Sequence, residues 1–207
     1  MRGRRYDALK RVSDVLVAGV LLVVTAPIQA VVALLVRRNL GSPVLFRQPR
    51  PGKDGAVFEL VKFRSMLAAR PDEGLVADSD RLTAFGTWLR STSLDELPTL
   101  WNVLRGDMSL VGPRPLLVQY LDRYTPDQAR RHEVRPGVTG LAQISGRNEV
   151  DWHDRLRMDV EYVDQRSLVL DARIAWATFM VVLGRRGISA EGSSTMPEFG
   201  IDPEDAR

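Results

Sequence analysis

The chain has 207 residues, two histidines and no cysteine, and its formal net charge is +3. This length suits one domain with a substantial core plus an appendage, which argues against a second catalytic domain. The absence of cysteine excludes disulfides, thiolate zinc sites and thiol nucleophiles, so any reaction must use carboxylate, hydroxyl, lysine, arginine or histidine groups. The basic residues cluster at the N-terminus and again before residue 65, which favours an anionic partner such as lipid headgroups, nucleotides or nucleic acid.

The most apolar part of the chain is the uncharged run Val15–Val36, VLVAGVLLVVTAPIQAVVALLV. As a helix rising about 1.5 Å per residue, this run is long enough to cross a hydrocarbon core of about 30 Å. It is also longer than the apolar region of an ordinary cleavable signal peptide, and no small-residue cleavage site follows it. We therefore predict a membrane helix within an N-terminal basic unit of residues 1–40.

The path of this helix through the membrane has two interpretations. Basic residues precede and follow the apolar run, so the positive-inside bias draws both of its ends to the cytoplasmic side. Pro27 lies near the middle, where it removes a helical hydrogen bond and favours a sharp break. A re-entrant helix that enters and leaves by one leaflet fits these features, and a tilted span with a proline kink is the alternative.

Residues 41–186 are predicted to form a cytoplasmic catalytic domain that contains a small β-hairpin. Two β-rich runs flank a Gly-Lys-Asp-Gly turn in PVLFRQPRPGKDGAVFELVKFRSM, which is typical of a hairpin. The two-residue period of a strand puts Lys62 and Arg64 on one face, and two neighbouring cations suit a phosphate group. For either residue alone, a solvated hairpin face is the simpler explanation.

Apolar residues at helical spacing predict amphipathic helices at Asp78–Arg90 and over residues 97–104. Trp88 and Trp101 in these helices either fill a core or lie at a lipid interface. The remaining predictions are a short strand at Leu141–Ile144, helices at Val150–Gln165 and Ala172–Gly184, and a disordered tail over residues 187–207. The predicted fold class is therefore α+β, mostly α, with a membrane helix, interfacial helices and one small hairpin.

The adjacent carboxylates Asp95 and Glu96 lie in the sequence SLDELP. Ser93 and Glu96 match a capping box, which would give the pair a purely structural role. Pro98 fits best in a first helical turn, so the helix start moves toward Asp95 and the capping explanation is weakened. Neighbouring carboxylates can instead divide the chemistry, one attacking phosphorus and the other holding a divalent ion.

Arg114 is flanked by prolines in GPRP, which restrict its backbone and attach the guanidinium to a stiff support. A planar and permanently charged fork matches a pair of phosphate oxygens. Arg147 in SGRN is a similar candidate, because a neighbouring glycine permits close approach to a ligand. His132 and His153 show no metal-ligand spacing, and we interpret both as ordinary surface or helix residues.

Several long motifs in order resemble the bacterial sugar transferase family, the polyprenol-phosphate hexose-1-phosphate transferases, and the size resembles its small monotopic members. The motifs are LKRVSD, PVLFRQPRPGKDGAVFELVKFRSM, LRSTSLDELPTLWNVLRGDMSLVGPRPLL, RPGVTGLAQISGRN and DVEYV. Together they extend over residues 8–184. Their number and order make the match far more specific than any single tetrapeptide.

The resemblance implies transfer of a sugar 1-phosphate from a UDP-sugar to undecaprenyl phosphate, with release of UMP. This would be the first membrane step of glycoconjugate or exopolysaccharide assembly, at the cytoplasmic face of the bacterial inner membrane. The resemblance also implies a re-entrant helix, Asp95 as a nucleophile that forms an aspartyl-phosphosugar intermediate, and Glu96 as a ligand of Mg²⁺ beside Asp95. The substrate site that we predict comprises Lys62, Arg64, Arg90, Arg114, Gln143, Arg147 and Asn148.

The chain departs from the usual family pattern at the membrane break, where Ala26-Pro27 replaces a Ser-Pro pair. The missing hydroxyl predicts a less sharply bent helix. A competing hypothesis is a membrane-anchored scaffold that binds nucleotide or lipid without catalysis, with Asp95 and Glu96 merely capping a helix. Nucleic-acid binding has little support, because the charge excess is small and no stacking motif stands out. The sequence identifies neither the sugar nor the oligomeric state.

Overall fold

A computed structural model describes residues 2–70, 72, 75–145, 151–184 and 199. The fold is α+β and mostly α, as predicted. Its helices are α1 (Arg2–Leu40), α2 (Asp78–Arg81), α3 (Ala84–Ser91), α4 (Leu100–Arg105), α5 (Pro126–Ala129), α6 (Leu141–Ile144), α7 (Trp152–Gln165) and α8 (Leu168–Gly184). Its strands are β1 (Leu45–Pro51), β2 (Val57–Phe63), β3 (Ser109–Val111) and β4 (Gly137–Thr139). Short 3₁₀ helices are Lys53–Gly55, Leu94–Thr99, Val118–Arg123 and Arg130–Glu133. The predicted disordered tail lies outside the described residues apart from Phe199.

Helix α1 carries the predicted membrane segment and remains helical through Pro27. In the part of the chain that the structure describes, Arg5–Leu40 is one helix long and apolar enough to cross a membrane. Large apolar side chains, among them Leu16, Val20 and Val23, are exposed along it. Such exposure is unlike the core helix of a soluble protein and suits a lipid environment. Its re-entrant path stays a prediction.

One face of α1 packs against the rest of the protein at both of its ends. Ala18 lies in a buried cluster with Leu100 and Val103 of α4, whereas Val36 lies in another cluster with Leu89 of α3. Between these contacts, residues 23–31 include no buried residue. Residues on both sides of the boundary predicted at residue 40 therefore pack in the same buried clusters.

Polar side chains inside α1 compensate in part for the missing serine at the membrane break. The Thr25 hydroxyl donates to the Leu21 carbonyl at 2.6 Å, and the Gln29 amide nitrogen donates to the Thr25 hydroxyl at 3.0 Å. A Thr hydroxyl that bonds to the carbonyl four residues earlier tends to bend a helix. A hydroxyl is therefore available one position before the place where the family motif has its serine.

Charged groups fix the N-terminal part of α1 to the catalytic body. Lys10 lies between the carboxylates of Asp14, at 3.0 Å, and Asp171 of α8, at 3.3 Å. The Ser109 hydroxyl donates to Asp14 at 2.7 Å, and this links α1 to β3. Arg11 donates to the Val103 carbonyl at 2.6 Å, near the end of α4, where a cation complements the helix dipole.

The predicted hairpin is confirmed, since β1 and β2 pair antiparallel from Leu45↔Phe63 to Pro51↔Val57. Asp54 and Gly55 turn the chain with positive φ angles of 55° and 75°. A second pair, β3 and β4, is parallel and was not predicted. It brings the loop after Val111 beside the chain before Thr139, which places the GPRP segment near the carboxylate pair.

Two elements differ from the sequence predictions. The helix predicted over Asp78–Arg90 is divided into α2 and α3, because Thr83 is extended and its hydroxyl accepts from Gly86 N to start α3. The strand predicted at Leu141–Ile144 is wrong, since these residues form α6. Gly140 is extended and its carbonyl accepts from Gln143 N at 3.1 Å. The short helix α6 therefore begins directly after β4.

A buried ion pair between Arg131 and Asp159 of α7 provides a test of the packing. Their side chains are only 2% and 3% exposed, so Asp159→Asn leaves a buried cation poorly compensated and should lower the free energy of unfolding by about 3 kcal/mol. The matched control is Asp154→Asn, whose pair with Arg157 lies on the same helix but is 46% and 58% exposed. That change should cost less than about 1 kcal/mol. Denaturant unfolding of the purified protein in one detergent measures both, and equal losses would contradict this assignment.

Candidate active site

The 3₁₀ helix Leu94–Thr99 carries the two adjacent carboxylates. The capping box weighed as an alternative to a catalytic role does not form, because Ser93 has a left-handed backbone with φ of 55° and its side chain makes no capping hydrogen bond. With φ positive, the Ser93 hydroxyl is not oriented toward the next turn. Helix capping therefore does not explain why acidic residues occupy positions 95 and 96.

Hydrogen bonds to β2 fix the position of this 3₁₀ helix and of α4 after it. The Thr99 hydroxyl donates to the Val61 carbonyl at 3.0 Å. The Asn102 amide accepts from Val61 N at 3.0 Å and donates to the Glu59 carbonyl at 2.7 Å. The sequence analysis missed both residues, although a buried asparagine inside the apolar stripe of residues 97–104 was a usable signal.

Three of the predicted cations converge on the carboxylate pair from different elements. Lys62 comes from β2, Arg90 from α3 and Arg114 from the loop after β3, and the charge of each acts on Asp95. The Arg114 guanidinium donates to Glu96 at 2.7 Å. Arg90 is oriented by its hydrogen bond to the Ser65 hydroxyl at 2.9 Å.

Glycine at position 86 permits the close approach that brings Arg90 into the site. A Cβ atom at Gly86 would lie 2.0 Å from the Ser65 carbonyl oxygen, so α3 packs directly on the backbone that follows β2. Any larger residue would displace α3 and with it the guanidinium of Arg90. This requirement was not apparent in the sequence.

Asp95 is a buried acid surrounded by opposite charges. It is 5% exposed, and its carboxylate makes no hydrogen bond or salt bridge to the residues that the structure describes. The pKa of Asp95 is raised to about 6, chiefly by burial and next by the charge of Glu96, while the charges of Lys62, Arg114 and Arg90 oppose the rise. At neutral pH, Asp95 is therefore mostly an ionised and poorly solvated carboxylate, which is the state required of a nucleophile.

Asp95 and Glu96 raise the pKa of both Lys62 and Arg114, but the net shifts of the two cations are opposite. Burial lowers the pKa of Lys62, against the pull of Asp95 and Glu96. The charge of Glu96 raises the pKa of Arg114. Glu96 and Arg114 are both partly exposed, so their salt bridge lies on the open side of the site, where a phosphate could reach it.

The carboxylate pair is also the place where the sequence predicts a divalent ion. Over the described ranges, no group of three or more His, Cys, Asp or Glu side chains could hold a metal. Mg²⁺ is commonly held by one or two carboxylates together with substrate phosphates and water, because it prefers hard oxygen ligands. The donor set of Asp95 and Glu96 therefore suits Mg²⁺ bound together with a phosphorylated substrate.

Of the other predicted site residues, the structure describes Arg64 and Gln143, whose surroundings differ. Arg64 does not join the cluster, because its guanidinium donates to the carbonyls of Leu40 and Ser42 at the end of α1. Gln143 has a buried amide whose oxygen and nitrogen find no hydrogen-bond partner within the described chain, which is compatible with a ligand contact. Arg147 and Asn148 lie outside the described residues.

Comparison with known proteins identifies the class. Residues 5–185 match the model of the bacterial sugar transferase family. The chain is 49% identical over 192 residues to the sugar transferase EpsL of Bacillus subtilis, covering 92% of this chain and 95% of that protein. It is 42% identical to a UDP-glucose:undecaprenyl-phosphate glucose-1-phosphate transferase of Caulobacter vibrioides, covering 83% of this chain and 68% of that protein. It is 40% identical to an undecaprenyl-phosphate galactose phosphotransferase of Salmonella typhimurium, covering 86% of this chain and 41% of the relative.

The fold and the site thus define a membrane-associated enzyme whose site holds two adjacent carboxylates among three cations. The chain belongs to the bacterial sugar transferase family. Its similarity to EpsL extends over nearly the whole of both proteins, whereas it spans about 41% of the Salmonella relative.

The buried charge of Asp95 should reduce stability at neutral pH. Because the pKa of Asp95 is higher in the folded state, protonation of this group stabilises the fold fully below 3.8, the pKa that Asp95 has when unfolded. This stabilisation is lost as the pH rises through about 6. Asp95→Asn should therefore raise the unfolding temperature at pH 7.5 in EDTA, and the difference should shrink toward pH 4. Asp127→Asn, at an exposed carboxylate, is the control and should change nothing. An Asp95→Asn protein that is less stable at pH 7.5 would contradict the assignment.

Proposed function

We propose that the protein transfers a sugar 1-phosphate from a UDP-sugar to undecaprenyl phosphate, giving undecaprenyl-diphosphate-sugar and UMP. The observation that carries the proposal is the buried Asp95 carboxylate held among Lys62, Arg90 and Arg114. The activities for which the Caulobacter and Salmonella relatives are named support the same substrates. A scaffold without catalysis would gain nothing from a buried, destabilising carboxylate.

In the proposed first step, an Asp95 oxygen attacks the phosphorus that carries the sugar. The bond from this phosphorus to the bridging oxygen of the diphosphate breaks, and UMP leaves with that oxygen. The product is an aspartyl-phosphosugar adduct. A phosphate oxygen of undecaprenyl phosphate then attacks the same phosphorus, which forms the lipid diphosphate and frees Asp95. The two substrates use one carboxylate in turn, as in a ping-pong reaction.

The cations stabilise this reaction electrostatically. Negative charge on the phosphoryl oxygens changes position during transfer, and fixed Lys and Arg groups in a poorly solvated site can stabilise it without moving. Arg114 and Arg90 are held by Glu96 and Ser65, so they are already oriented before substrate arrives. Glu96, with Asp95, would hold Mg²⁺, which when bound supplies further charge neutralisation at the diphosphate.

The proposed site lies at a membrane surface. Helix α8 exposes Trp176, which is 66% exposed, together with Phe179 and Met180 on the same face. Trp88 of α3 and Trp101 of α4 are also exposed, so the alternative that they fill a core is not what the structure shows. Exposed tryptophans beside a lipid-exposed helix are typical of residues at headgroup level. We propose that this surface rests on the cytoplasmic leaflet of the inner membrane.

Replacement of Asp95 should abolish the reaction without unfolding the protein. Asp95→Asn should lower UMP release from UDP-sugars, in the presence of undecaprenyl phosphate and Mg²⁺, by about a thousandfold or more, because an amide is a poor nucleophile. Rapid-quench mass spectrometry should trap the phosphosugar adduct on Asp95 of the unmodified protein. Asp127→Asn, at an exposed carboxylate outside the cluster, is the control and should keep full activity. Turnover by Asp95→Asn at the normal rate would refute the proposed nucleophile.

The re-entrant path predicts that both ends of α1 face the cytoplasm. The natural chain contains no cysteine, so single cysteines can be introduced without background. Asp7→Cys and Asn39→Cys should both react with an impermeant maleimide in inside-out vesicles and neither in spheroplasts. Labelling of the two positions from opposite sides would establish a conventional span instead.

A further inference from the structure

Arg50 lies on the same face of the hairpin as Lys62, although no motif assigned it a role. Phe46 pairs with Lys62 and Pro51 with Val57, so the alternate residues Phe46, Gln48 and Arg50 share the face that Lys62 presents. At about 3.3 Å per residue, Arg50 lies about 13 Å along β1 from the position opposite Lys62. One face of the hairpin therefore carries a cation at each end.

The guanidinium of Arg50 has neutral partners only. It donates to the Pro115 carbonyl at 3.1 Å and to the Gln48 side-chain oxygen at 2.6 Å. Its Nε atom is buried and has no hydrogen-bond partner, and no carboxylate lies within salt-bridge distance among the residues that the structure describes. Arg50 is only half-buried, but a cation with a buried and unpartnered Nε atom and no anion nearby is costly, and this suggests that an anion completes the arrangement during function.

The surroundings of Arg50 identify where that anion would lie. Its contact with Pro115 joins it to the segment that holds Arg114, and the charge of Arg114 acts on it directly. Burial and this repulsion together lower the pKa of Arg50 to about 10. Asp95 and Glu96 act on Arg114 but are not among the groups that act on Arg50. Arg50 is therefore linked to the site through the segment that holds Arg114 and not through the carboxylate pair.

We propose that Arg50 is a further donor-binding residue, which holds the phosphate on the nucleoside side of the diphosphate while Lys62, Arg90 and Arg114 surround the phosphorus under attack. This inference rests on the proposed function. The two phosphates of a nucleotide sugar differ in fate, because one is transferred and the other leaves in the nucleoside monophosphate. Arg50 would bind the leaving one, and a fixed guanidinium fork suits its oxygens.

The experiment separates the two half-reactions. In a ping-pong scheme, kcat/KM for the UDP-sugar reports the donor step and kcat/KM for undecaprenyl phosphate reports the acceptor step. Arg50→Met should lower the first by about tenfold or more and leave the second within about twofold. The dissociation constant of UMP, measured by calorimetry on the full chain in nanodiscs, should rise by a similar factor. Arg50→Lys should recover part of both.

Arg47→Met is the matched control, since Arg47 lies on the same strand but on the opposite face, where it pairs with Glu59. It should change neither constant. Arg50→Met should keep or raise the unfolding temperature, because it removes a half-buried cation that has a buried, unpartnered Nε atom and no carboxylate nearby in the described part of the chain. Unchanged UMP binding, or an equal loss in both half-reactions with a lower unfolding temperature, would overturn the inference alone. If the unmodified protein released no UMP from any UDP-sugar in a panel that includes UDP-glucose and UDP-galactose, the proposed function itself would fail.

Discussion

The hydrogen bonds of Thr99 and Asn102 to β2 are the constraint on which the site depends. They fix a 3₁₀ helix along a hairpin strand, so that Asp95 and Glu96 lie beside Lys62. Arg90 on α3 and Arg114 in the loop after β3 then complete the cluster around the two carboxylates. Each is itself held by a neutral or acidic partner, which keeps the positive charges in place before any phosphate arrives. The arrangement is rigid because its supports are strands and helix ends.

Without bound substrate, the charged groups of the site lower the stability of the fold. Among the described residues, Asp95 has little solvent and no hydrogen bond when ionised and so opposes folding, and the half-buried Arg50 has no carboxylate within salt-bridge distance and acts in the same direction. The energy that stabilises the fold comes from elsewhere, including the two clusters that α1 shares with α3 and α4. Functional sites commonly lower stability in this way, because groups suited to a substrate are poorly matched to one another.

Much of the fold was predictable because local rules decide it. The hairpin, α7 and α8 follow from turn residues and apolar periodicity, and the acidic pair with its three cations followed from long motifs. The strand predicted at Leu141–Ile144 is wrong, because the turn at Gly140 is set by tertiary contacts. The capping box at Ser93, against which Pro98 already argued, does not form. The role of Gly86 was hidden because it depends on a neighbour distant in sequence, whereas a polar Asn102 inside an apolar stripe was a usable signal. Arg64 was predicted on the same strand face as Lys62 because it lies two residues later. Strand β2 ends at Phe63, so the alternation of side chains does not extend to Arg64.

The sharing of side chains between α1 and the catalytic body bears on how the protein is made. Val32, Val36 and Leu40 leave the ribosome before Phe63 and Leu89, the partners that they will cover. Closure of this core therefore waits until the residues that follow α1 have been synthesised. A fragment lacking α1 would leave two apolar surfaces uncovered, so removal of the helix would take away part of the core. Order of synthesis and folding are thus linked through α1.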